Sequence, residues 1–274
     1  MDTIGLVGFG AMGSALYERL RLAETEALVY DPEPSAAAAA RAQGATIASS
    51  PAEIGRVCSV IDVIVRTDEQ MLDCMCGAGG LLEGAARGTL LLLHSSVHPK
   101  TTRHVADAAR EHGVAVMDAC AMGTPPVVRA GGLIWLVGGQ KDLLDRATPH
   151  LLRMGKQVLY MGPIGAANVA KLIGNLVTGA ERLVLHEALQ IGQAAGIPYP
   201  QLLDMMRTVP HVALVQRWEN TFDPAGTNIM PQAGTNTLSK DMPLALDLAH
   251  DYGLSLPITE ELINAAQRVV EANT

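Results

Sequence analysis

Residues 4–13 have the sequence "IGLVGFGAMG". It places Gly8, Gly10 and Gly13 in the spacing G-x-G-x-x-G, after an apolar strand pattern and before a helical one. Gly8 permits a tight turn, Gly10 permits close approach of a pyrophosphate, and Gly13 permits close packing of helix on strand. The alternative is a glycine turn that binds no ligand. We predict dinucleotide contacts at Gly8, Phe9, Gly10, Ala11, Met12 and Gly13.

A second predicted strand ends in "LVYDPEP", which places Asp31 about 20 residues beyond the glycines. A carboxylate at this position accepts hydrogen bonds from the two ribose hydroxyls of NAD and repels a 2′-phosphate. The next residue is Pro32 and not an arginine. We therefore expect the cofactor to be NAD rather than NADP.

Short apolar runs alternate with helical stretches over the first 162 residues. Several runs are continuous Val, Ile and Leu segments, as is typical of strands covered on both faces. The alternation predicts an α/β fold with a mainly parallel, doubly wound sheet. The predicted strands are Ile4–Val7, Ala27–Tyr30, Thr46–Ile47, Val60–Val65, Thr89–Leu93, Val114–Met117, Leu133–Val137 and Val158–Tyr160. The predicted helices are Met12–Ala23, Ser35–Gln43, Pro51–Arg56, Glu69–Met75, Lys100–His112 and Lys141–Met154.

Only helical patterns follow Met161. One of them runs from Ile164 to about Ala195, and at 1.5 Å per residue it would be about 45 Å long. Because that length exceeds one small domain, we expect this helix to join two domains or two subunits. Residues 1–162 are thus predicted to form a cofactor-binding domain and residues 163–274 an all-α domain. The further predicted helices are Tyr199–Thr208, Val212–Asn220, Leu238–Tyr252 and Ile258–Ala272.

The composition excludes several classes of protein. The chain is 49% hydrophobic and 18% charged, with a net charge of -8 and no cluster of Lys and Arg. A nucleic-acid or anionic-membrane surface is therefore not expected. The chain begins directly with a strand pattern and has no apolar run long enough to cross a bilayer, so we expect a cytoplasmic protein. We interpret Cys58, Cys74, Cys76 and Cys120 as reduced core residues, and we predict no metal site.

The segment "GPIGAANVAKLIGNLV" at residues 162–177 contains a single charge, Lys171, in a pattern typical of a buried helix. Oxidation of an alcohol needs a hydride acceptor and a group that takes the hydroxyl proton. A lysine can take this proton if burial lowers its pKa toward neutrality. Asn175 lies one helical turn later on the same face, where it can hold a substrate hydroxyl or orient the ammonium group. The alternative is a lysine that extends from an amphipathic helix into solvent.

Five motifs together resemble those of the β-hydroxyacid dehydrogenase family, and the resemblance covers essentially the whole chain. They are the glycine stretch, "HSSVHPKT" at 94–101, "DACAMGTPPVVRAGGLIWLVGG" at 118–139, "GPIGAANVAK..GN" at 162–175 and "SKDMPLALDLAHDYGLSLP" at 239–257. The resemblance implies an N-terminal Rossmann domain, a C-terminal helical domain and a catalytic site between them. It also implies that Lys171 is the catalytic lysine and that Asn175 is its neighbour in the site.

The resemblance assigns two further cofactor contacts. It implies that Ser96 touches the nicotinamide ribose or carboxamide, whereas the alternative for Ser95 and Ser96 is an N-cap ahead of Pro99. It implies that Lys240 reaches the cofactor or the substrate. Without the resemblance, Lys240 and Asp241 would be interpreted as solvated charges at a helix start.

Two segments depart from the family pattern. The family has D-x-x-x-S-G-G, with a serine and backbone N–H groups that hold a substrate carboxylate, but here Met122 replaces the serine and Thr124 the second glycine. We interpret "MDACAMGTPP" at 117–126 as a loop and expect Met122, Gly123 and Thr124 to bind substrate together with Lys171 and Asn175. The substrate is then bulkier, less polar at one end or held differently. The alternative is that Met122 only fills apolar space.

The second departure follows the predicted strand Val60–Val65. The family continues with M-L-P, whereas this chain continues with Arg66, Thr67 and Asp68. Cofactors bind at the carboxyl edge of such sheets, so we place Thr67 near the cofactor ribose. Arg66 can pair with a substrate anion, and the alternative is a surface ion pair with Asp68 or Glu69.

The sequence therefore predicts an oxidoreductase that transfers a hydride between NAD and a small β-hydroxyacid or its semialdehyde, with Lys171 as general acid/base. One alternative is a reductase similar to imine reductases, which generally lack this lysine. Another is a non-catalytic NAD-binding protein. A decarboxylating 6-phosphogluconate dehydrogenase would need a longer helical region than the roughly 110 residues after Gly162. The long helix favours a homodimer or a dimer-based tetramer.

Overall fold

The computed structural model describes residues 2–208 and 237–271. Its contacts divide the chain into two compact units, residues 1–171 and 172–274. The strands, all in the first unit, are β1 (Ile4–Val7), β2 (Ala27–Tyr30), β3 (Thr46–Ile47), β4 (Val60–Val63), β5 (Leu90–Leu93), β6 (Ala115–Met122), β7 (Ile134–Gly138) and β8 (Gln157–Gly162). The helices of the first unit are α1 (Ala11–Leu22), α2 (Pro34–Ala42), α3 (Pro51–Val57), α4 (Asp68–Cys76), α5 (Leu81–Gly84), α6 (Pro99–Glu111), α7 (Pro125–Arg129), a 3-10 turn (Lys141–Leu143) and α8 (Leu144–Met154).

The eight strands form one sheet in the order β3-β2-β1-β4-β5-β6-β7-β8. Neighbouring strands are parallel throughout, except that β6 and β7 are antiparallel. The chain reverses its direction of travel across the sheet after β3, so β1 and β4 lie side by side at the switch point. This arrangement confirms the predicted α/β class and the doubly wound, mainly parallel sheet.

The strands are mainly apolar because helices cover both faces of the sheet. In β5, for example, Leu90 and Leu92 belong to a core layer that also contains buried residues of α1 and α8. Leu91 and Leu93 belong to the opposite layer, which contains buried residues of α3, α4, α5 and α6. All four leucines are fully buried. Continuous apolar runs are therefore what the packing requires.

The structure corrects several predicted bounds. β6 runs from Ala115 to Met122, so residues 118–122 are strand and not loop. The antiparallel pairing with β7, from Asp118–Gly138 to Met122–Ile134, extends β6 beyond the end predicted from its apolar run. The short helices α5 and α7 were not predicted.

The described helices of the second unit pack around their own apolar core. The chain enters this unit along α9 (Ala166–Ala194), which is followed by α10 (Tyr199–Thr208), a π-helical turn (Thr237–Asp241), α11 (Met242–Asp251) and α12 (Pro257–Glu271). A Cβ on Gly179 would lie 2.4 Å from Sδ of Met242, so α9 and α11 pack closely at this point. The buried core residues include Leu183, Leu185, Leu189, Leu202, Leu203, Leu238, Met242 and Ala266.

The π-helical turn splits the single helix predicted over Leu238–Tyr252, because α11 begins only at Met242. The predicted helix Val212–Asn220 lies outside the described residues. The domain assignment 1–162 and 163–274 stays a prediction. Within the described ranges, no helix combines the length and the apolarity needed to cross a membrane.

Candidate active site

The glycine turn follows β1 at the carboxyl edge of the sheet. Gly8 has φ of 98°, and a Cβ there would lie 2.0 Å from the carbonyl oxygen of Ile64. A Cβ on Gly13 would lie 2.0 Å from the carbonyl oxygen of Gly8, so only glycine lets α1 approach the turn. Gly10 differs from both, since a Cβ there would meet no heavy atom within 4 Å. Gly10 is also the N-cap of α1, so no side chain caps the first N–H groups of this helix. The start of α1 therefore fits a phosphate group at its backbone N–H groups.

Asp31 fixes the shape of this turn from the end of β2. Its Oδ2 accepts from the N–H of Phe9 at 2.6 Å, and its Oδ1 accepts from the N–H of Glu33 at 2.9 Å. Phe9 is buried and packs edge-on against Tyr17, with ring centroids 5.5 Å apart. Each carboxylate oxygen keeps a second lone pair, so Asp31 fits the ribose hydroxyls of a nucleotide. In α1, Ala11 is exposed and Met12 is half-buried.

The two segments after β4 and β5 meet at the same edge. Thr67 is the N-cap of α4 and accepts from the N–H of Gln70 at 3.2 Å. Ser95 is buried, and its hydroxyl oxygen accepts from the N–H of Val65 at 2.8 Å. The N-cap of α6 is His98, so the alternative that Ser95 or Ser96 caps this helix is wrong.

A buried carboxylate anchors the start of α9. Asp118 Oδ1 accepts from the N–H of Gly165 at 2.9 Å, and its Oδ2 accepts from the N–H groups of Ala167 and Asn168 at 2.9 and 3.1 Å. Burial raises the pKa of Asp118, and the N–H donors of Gly165, Asn168 and Ala167 act against that rise. A negative charge at the N-terminus of a helix is favoured by the helix dipole. Asp118 therefore acts as the cap of α9, a role that we did not predict.

Asn168 ties the same helix start to two other elements. Its Oδ1 accepts from the hydroxyl of Thr102 in α6 at 2.8 Å, and its Nδ2 donates to the carbonyl oxygen of Ser95 at 2.9 Å. Asn168 is only 1% exposed, so both ends of the amide group are used inside the unit. The sequence analysis missed Asn168, although a polar residue three positions before the lysine in an apolar helix start was a signal for such a tie.

Lys171 lies beside the end of β6. Its Nζ donates to the carbonyl oxygen of Ala121 at 2.8 Å, one residue before Met122. Lys171 is half-buried in this position. The structure thus brings the lysine together with the segment for which substrate contacts were predicted.

Side-chain packing, in addition to the pairing of β6, fixes the position of residues 122–124. Met122 is half-buried and packs against an apolar cluster formed by Cys120, Leu136 and Ala167. This contact agrees with the alternative that Met122 fills apolar space. A Cβ on Gly123 would lie 3.1 Å from Cγ1 of Val127, and Thr124 is the N-cap of α7 with no side-chain cap hydrogen bond. The turn therefore places its backbone and the hydroxyl of Thr124 at the end of β6.

The second unit contains its own group of predicted site residues. Asn175 is buried, and its Nδ2 donates to Oδ2 of Asp241 at 2.7 Å. Nζ of Lys240 lies 3.4 Å from Oδ1 of Asp241. Lys240 and Asp241 belong to the π-helical turn, a geometry that is frequent at functional sites. Asp241 was not predicted as a site residue, and it connects two that were.

The histidine, acidic and cysteine side chains test the predictions that there is no metal site and that the cysteines are reduced core residues. Among residues 2–208 and 237–271, no group of three or more His, Cys, Asp or Glu side chains is placed to hold a metal ion. All four cysteines are free, and burial raises the pKa of Cys58 to about 11. Burial, with a smaller contribution from Cys76, raises the pKa of Cys74 to about 12. Cys76 is exposed, so its interpretation as a core residue is wrong.

Comparisons with known proteins cover both units. Residues 3–162 match the family model described as the NAD binding domain of 6-phosphogluconate dehydrogenase. Residues 165–274 match the model described as NAD-binding of NADP-dependent 3-hydroxyisobutyrate dehydrogenase.

Two curated relatives are similar over most of their length. A probable mitochondrial 3-hydroxyisobutyrate dehydrogenase of Dictyostelium discoideum is 29% identical over 257 residues, which cover 92% of this chain and 80% of the relative. An NAD-dependent L-serine dehydrogenase of Pseudomonas aeruginosa is 28% identical over 264 residues, which cover 94% of this chain and 89% of the relative.

Two solved structures share the fold to different degrees. The 3-hydroxyisobutyrate dehydrogenase of Mycobacterium tuberculosis with L-serine superimposes with a TM-score of 0.85 at 26% identity and covers 98% of this chain and 93% of its own. An imine reductase of Myxococcus stipitatus in complex with NADP+ has a TM-score of 0.64 at 20% identity, with 98% and 94% of the two chains covered. The second likeness concerns the fold alone.

Proposed function

Because the chain belongs to the β-hydroxyacid dehydrogenase family, we propose that it transfers a hydride between NAD and a small β-hydroxyacid or its semialdehyde, with Lys171 as general acid/base. It is a nicotinamide-dependent dehydrogenase that acts on CH–OH groups. The observation that carries the finer proposal is the position of Lys171, whose Nζ is held 2.8 Å from the carbonyl oxygen of Ala121 at the predicted substrate segment.

The glycine turn and Asp31 would hold the cofactor. The backbone N–H groups at the start of α1 would bind its pyrophosphate, and the Asp31 carboxylate would accept from the adenosine ribose. Thr67, Ser96 and Lys240 are the further proposed contacts. The negative charge of Asp31 favours NAD over NADP, because a 2′-phosphate would be repelled at this position. The bound nicotinamide supplies the hydride chemistry.

Lys171 would exchange the proton that accompanies hydride transfer. In oxidation the substrate hydroxyl gives its proton to the neutral amine, and in reduction the ammonium group returns a proton to the forming alkoxide. The contact with Ala121 holds the amine at the end of β6. Asn175 would bind the same hydroxyl, and its bond to Asp241 fixes which end of the amide group is the acceptor.

The turn after β6 would bind the substrate carboxylate. Backbone N–H groups at Gly123 and Thr124, together with the Thr124 hydroxyl, can form a small anion site. Met122 offers a thioether instead of a hydroxyl donor at this position, and it packs on the apolar cluster beside α9. We therefore propose that the preferred hydroxyacid carries an apolar group near its carboxylate.

A panel of hydroxyacids tests this function. The purified chain is incubated with NAD or NADP and with 3-hydroxyisobutyrate, L-serine, or β-hydroxyacids that carry larger apolar groups, and NADH absorbance is followed. We expect NADH to form fastest with NAD and an apolar β-hydroxyacid. NADPH-dependent reduction of a cyclic imine, without oxidation of any hydroxyacid, would instead favour an imine reductase and contradict the proposal.

We also propose that α9 forms an interface with a second copy of the chain. Three of its apolar residues recur at seven-residue intervals on one face and are exposed: Val177 by 53%, Val184 by 60% and Ile191 by 72%. Such a row on a long helix is typical of helix–helix association. Sedimentation at micromolar concentration should show a dimer or tetramer, and the double variant Val184→Asp, Ile191→Asp should shift it to monomer. A monomeric parent chain would contradict this proposal.

A further inference from the structure

Three ionisable side chains that have no role in the function proposed above meet inside the first unit. Oδ1 of Asp62 in β4 lies 2.7 Å from Nε2 of His94, and its Oδ2 lies 2.8 Å from Nε2 of His150 in α8. Asp62 and His94 have fully buried side chains, and that of His150 is 5% exposed. A buried charge of this kind is costly unless its partners satisfy it.

The hydrogen-bond partners identify the protons of His94. Its Nδ1 lies 2.7 Å from the carbonyl oxygen of Ala119, which can only accept, so Nδ1 carries a hydrogen. Burial alone would raise the pKa of Asp62, but the charges and hydrogen bonds of His150 and His94 hold it well below its ordinary value. Asp62 is therefore a carboxylate bonded to both rings, and Nδ1 of His94 donates to Ala119. The ring of Trp135 packs against that of His94, with the ring centroids 4.5 Å apart.

His94 stands where the backbone pairing of two strands ends. The last paired residues of β5 and β6 are Leu93 and Asp118, and the His94 side chain bonds the next carbonyl along β6, that of Ala119. The N–H of His94 donates to the carbonyl oxygen of Val63, which keeps β5 paired with β4. His94 therefore links three strands at the carboxyl edge of the sheet.

The residues on either side of this link are the proposed site residues. Ser95 and Ser96 follow His94 directly, and Met122 to Thr124 begin three residues after Ala119. We propose that His94 is a positioning residue, which holds the cofactor segment Ser95–Ser96 in register with the substrate segment 122–124 through its Nδ1–H bond to Ala119. The catalytic consequence rests on the function proposed above.

A matched pair of variants separates positioning from simple stabilisation. In His94→Asn the amide nitrogen takes the place of Nδ1 and can still donate to Ala119, but the bond to Asp62 is lost. In His94→Gln the amide nitrogen takes the place of Nε2, so the bond to Asp62 is kept and that to Ala119 is lost. His150→Leu is the control, because it removes a partner of Asp62 without touching Ala119.

Amide hydrogen exchange shows, without any substrate, how firmly the backbone of each segment is held. We expect His94→Gln to speed exchange over residues 119–124 about tenfold or more, while His94→Asn and His150→Leu leave this segment close to the parent even if their melting temperatures fall. Uniformly faster exchange in all three variants, in proportion to lost stability, would overturn the proposal.

Nitrogen-15 spectra of the parent chain test the same point without mutation. The His94 ring should show a protonated Nδ1 at neutral pH, and an unprotonated Nδ1 would overturn the proposal. In turnover with NAD and the best hydroxyacid of the panel, His94→Gln should lose about tenfold to a hundredfold in kcat/KM, and His94→Asn should recover most of it. If the parent oxidises no hydroxyacid, the proposed function fails, and the exchange and spectra still decide whether His94 positions the segments.

Discussion

Two regions of the first unit use the same device, an aspartate that accepts backbone N–H groups, for different ends. At the glycine turn, Asp31 accepts from Phe9 and from Glu33. At the start of α9, Asp118 accepts from three N–H groups, those of Gly165, Ala167 and Asn168. Asp31 directly follows the end of β2, whereas Asp118 lies within β6.

Burial separates the two roles. Asp31 is partly exposed, so its oxygens can still receive donors from a ligand. Asp118 is fully buried, and its oxygens are used to hold the helix that carries Lys171. The partly exposed carboxylate of Asp31 can therefore bind a ligand, whereas the buried carboxylate of Asp118 holds a helix in place. The proposed chemistry should therefore depend on the Asp118 region, and the proposed cofactor choice on the Asp31 region.

The largest expected effect is that of Lys171→Met, which removes the proposed proton-transfer group from the Asp118 region. We expect kcat for the best hydroxyacid to fall about a hundredfold to ten-thousandfold. Calorimetry should show NAD affinity close to that of the parent, because the glycine turn is untouched. The exposed Lys156, in Lys156→Met, is the matched control and should remain active. Near-normal turnover of Lys171→Met would remove Lys171 from the mechanism.

Asp118→Asn should have the next largest effect, since it turns one accepting oxygen into a donor that faces backbone N–H groups. We expect a loss of about 1–3 kcal/mol in the free energy of unfolding, measured in urea. The helix start should shift, so kcat should also fall about tenfold to a hundredfold. Asp107→Asn, at an exposed carboxylate, should change neither quantity. An Asp118→Asn variant with parental stability and kcat would show that the anchor is not needed.

The fold was predictable because its determinants are local. The structure confirms that Gly8 and Gly13 are needed for the turn and for the approach of α1. It also confirms that an apolar run such as β5 belongs to a sheet covered on both faces. Asp31 was predictable for the same reason, since the motif fixes its distance from the turn.

The anchoring of the site was not predictable, because it joins residues far apart in the chain. Asp118 accepts from the N–H of Asn168, which lies 50 residues further along the chain. Asp62 lies in β4, His94 just after β5 and His150 in α8, and nothing local in their sequence marks them as neighbours. The end of β6 was taken for a loop because its pairing with β7, and not its own apolar pattern, makes it a strand.

Asp31→Asn should have a smaller effect on catalysis, because Asp31 bonds the glycine turn and not the helix that carries Lys171. The variant keeps the shape of the side chain but removes the charge that should exclude a 2′-phosphate. We expect KM for NAD to rise about tenfold and the preference for NAD over NADP to narrow, while kcat at saturating NAD stays near the parent value. Glu33→Gln is the control, because the Glu33 side chain is exposed and only its backbone N–H contacts Asp31. This variant should keep the parental preference for NAD over NADP. Equal use of NAD and NADP by the parent would contradict the role of Asp31.

The smallest expected effect is that of Met122→Ser, which restores a hydroxyl donor at the end of β6 but leaves Asp118 and Lys171 in place. One added hydrogen bond to a substrate carboxylate should lower KM for small polar hydroxyacids by about tenfold at most. Hydroxyacids with apolar groups should lose their advantage, because the thioether that packs beside Ala167 is gone. Met206→Ser in α10 is the matched control, because Met206 is also half-buried and packs against an apolar core but is not a proposed site residue. If Met122→Ser changes only stability, by the same amount as the control, then Met122 fills apolar space and selectivity resides in the backbone of Gly123 and Thr124.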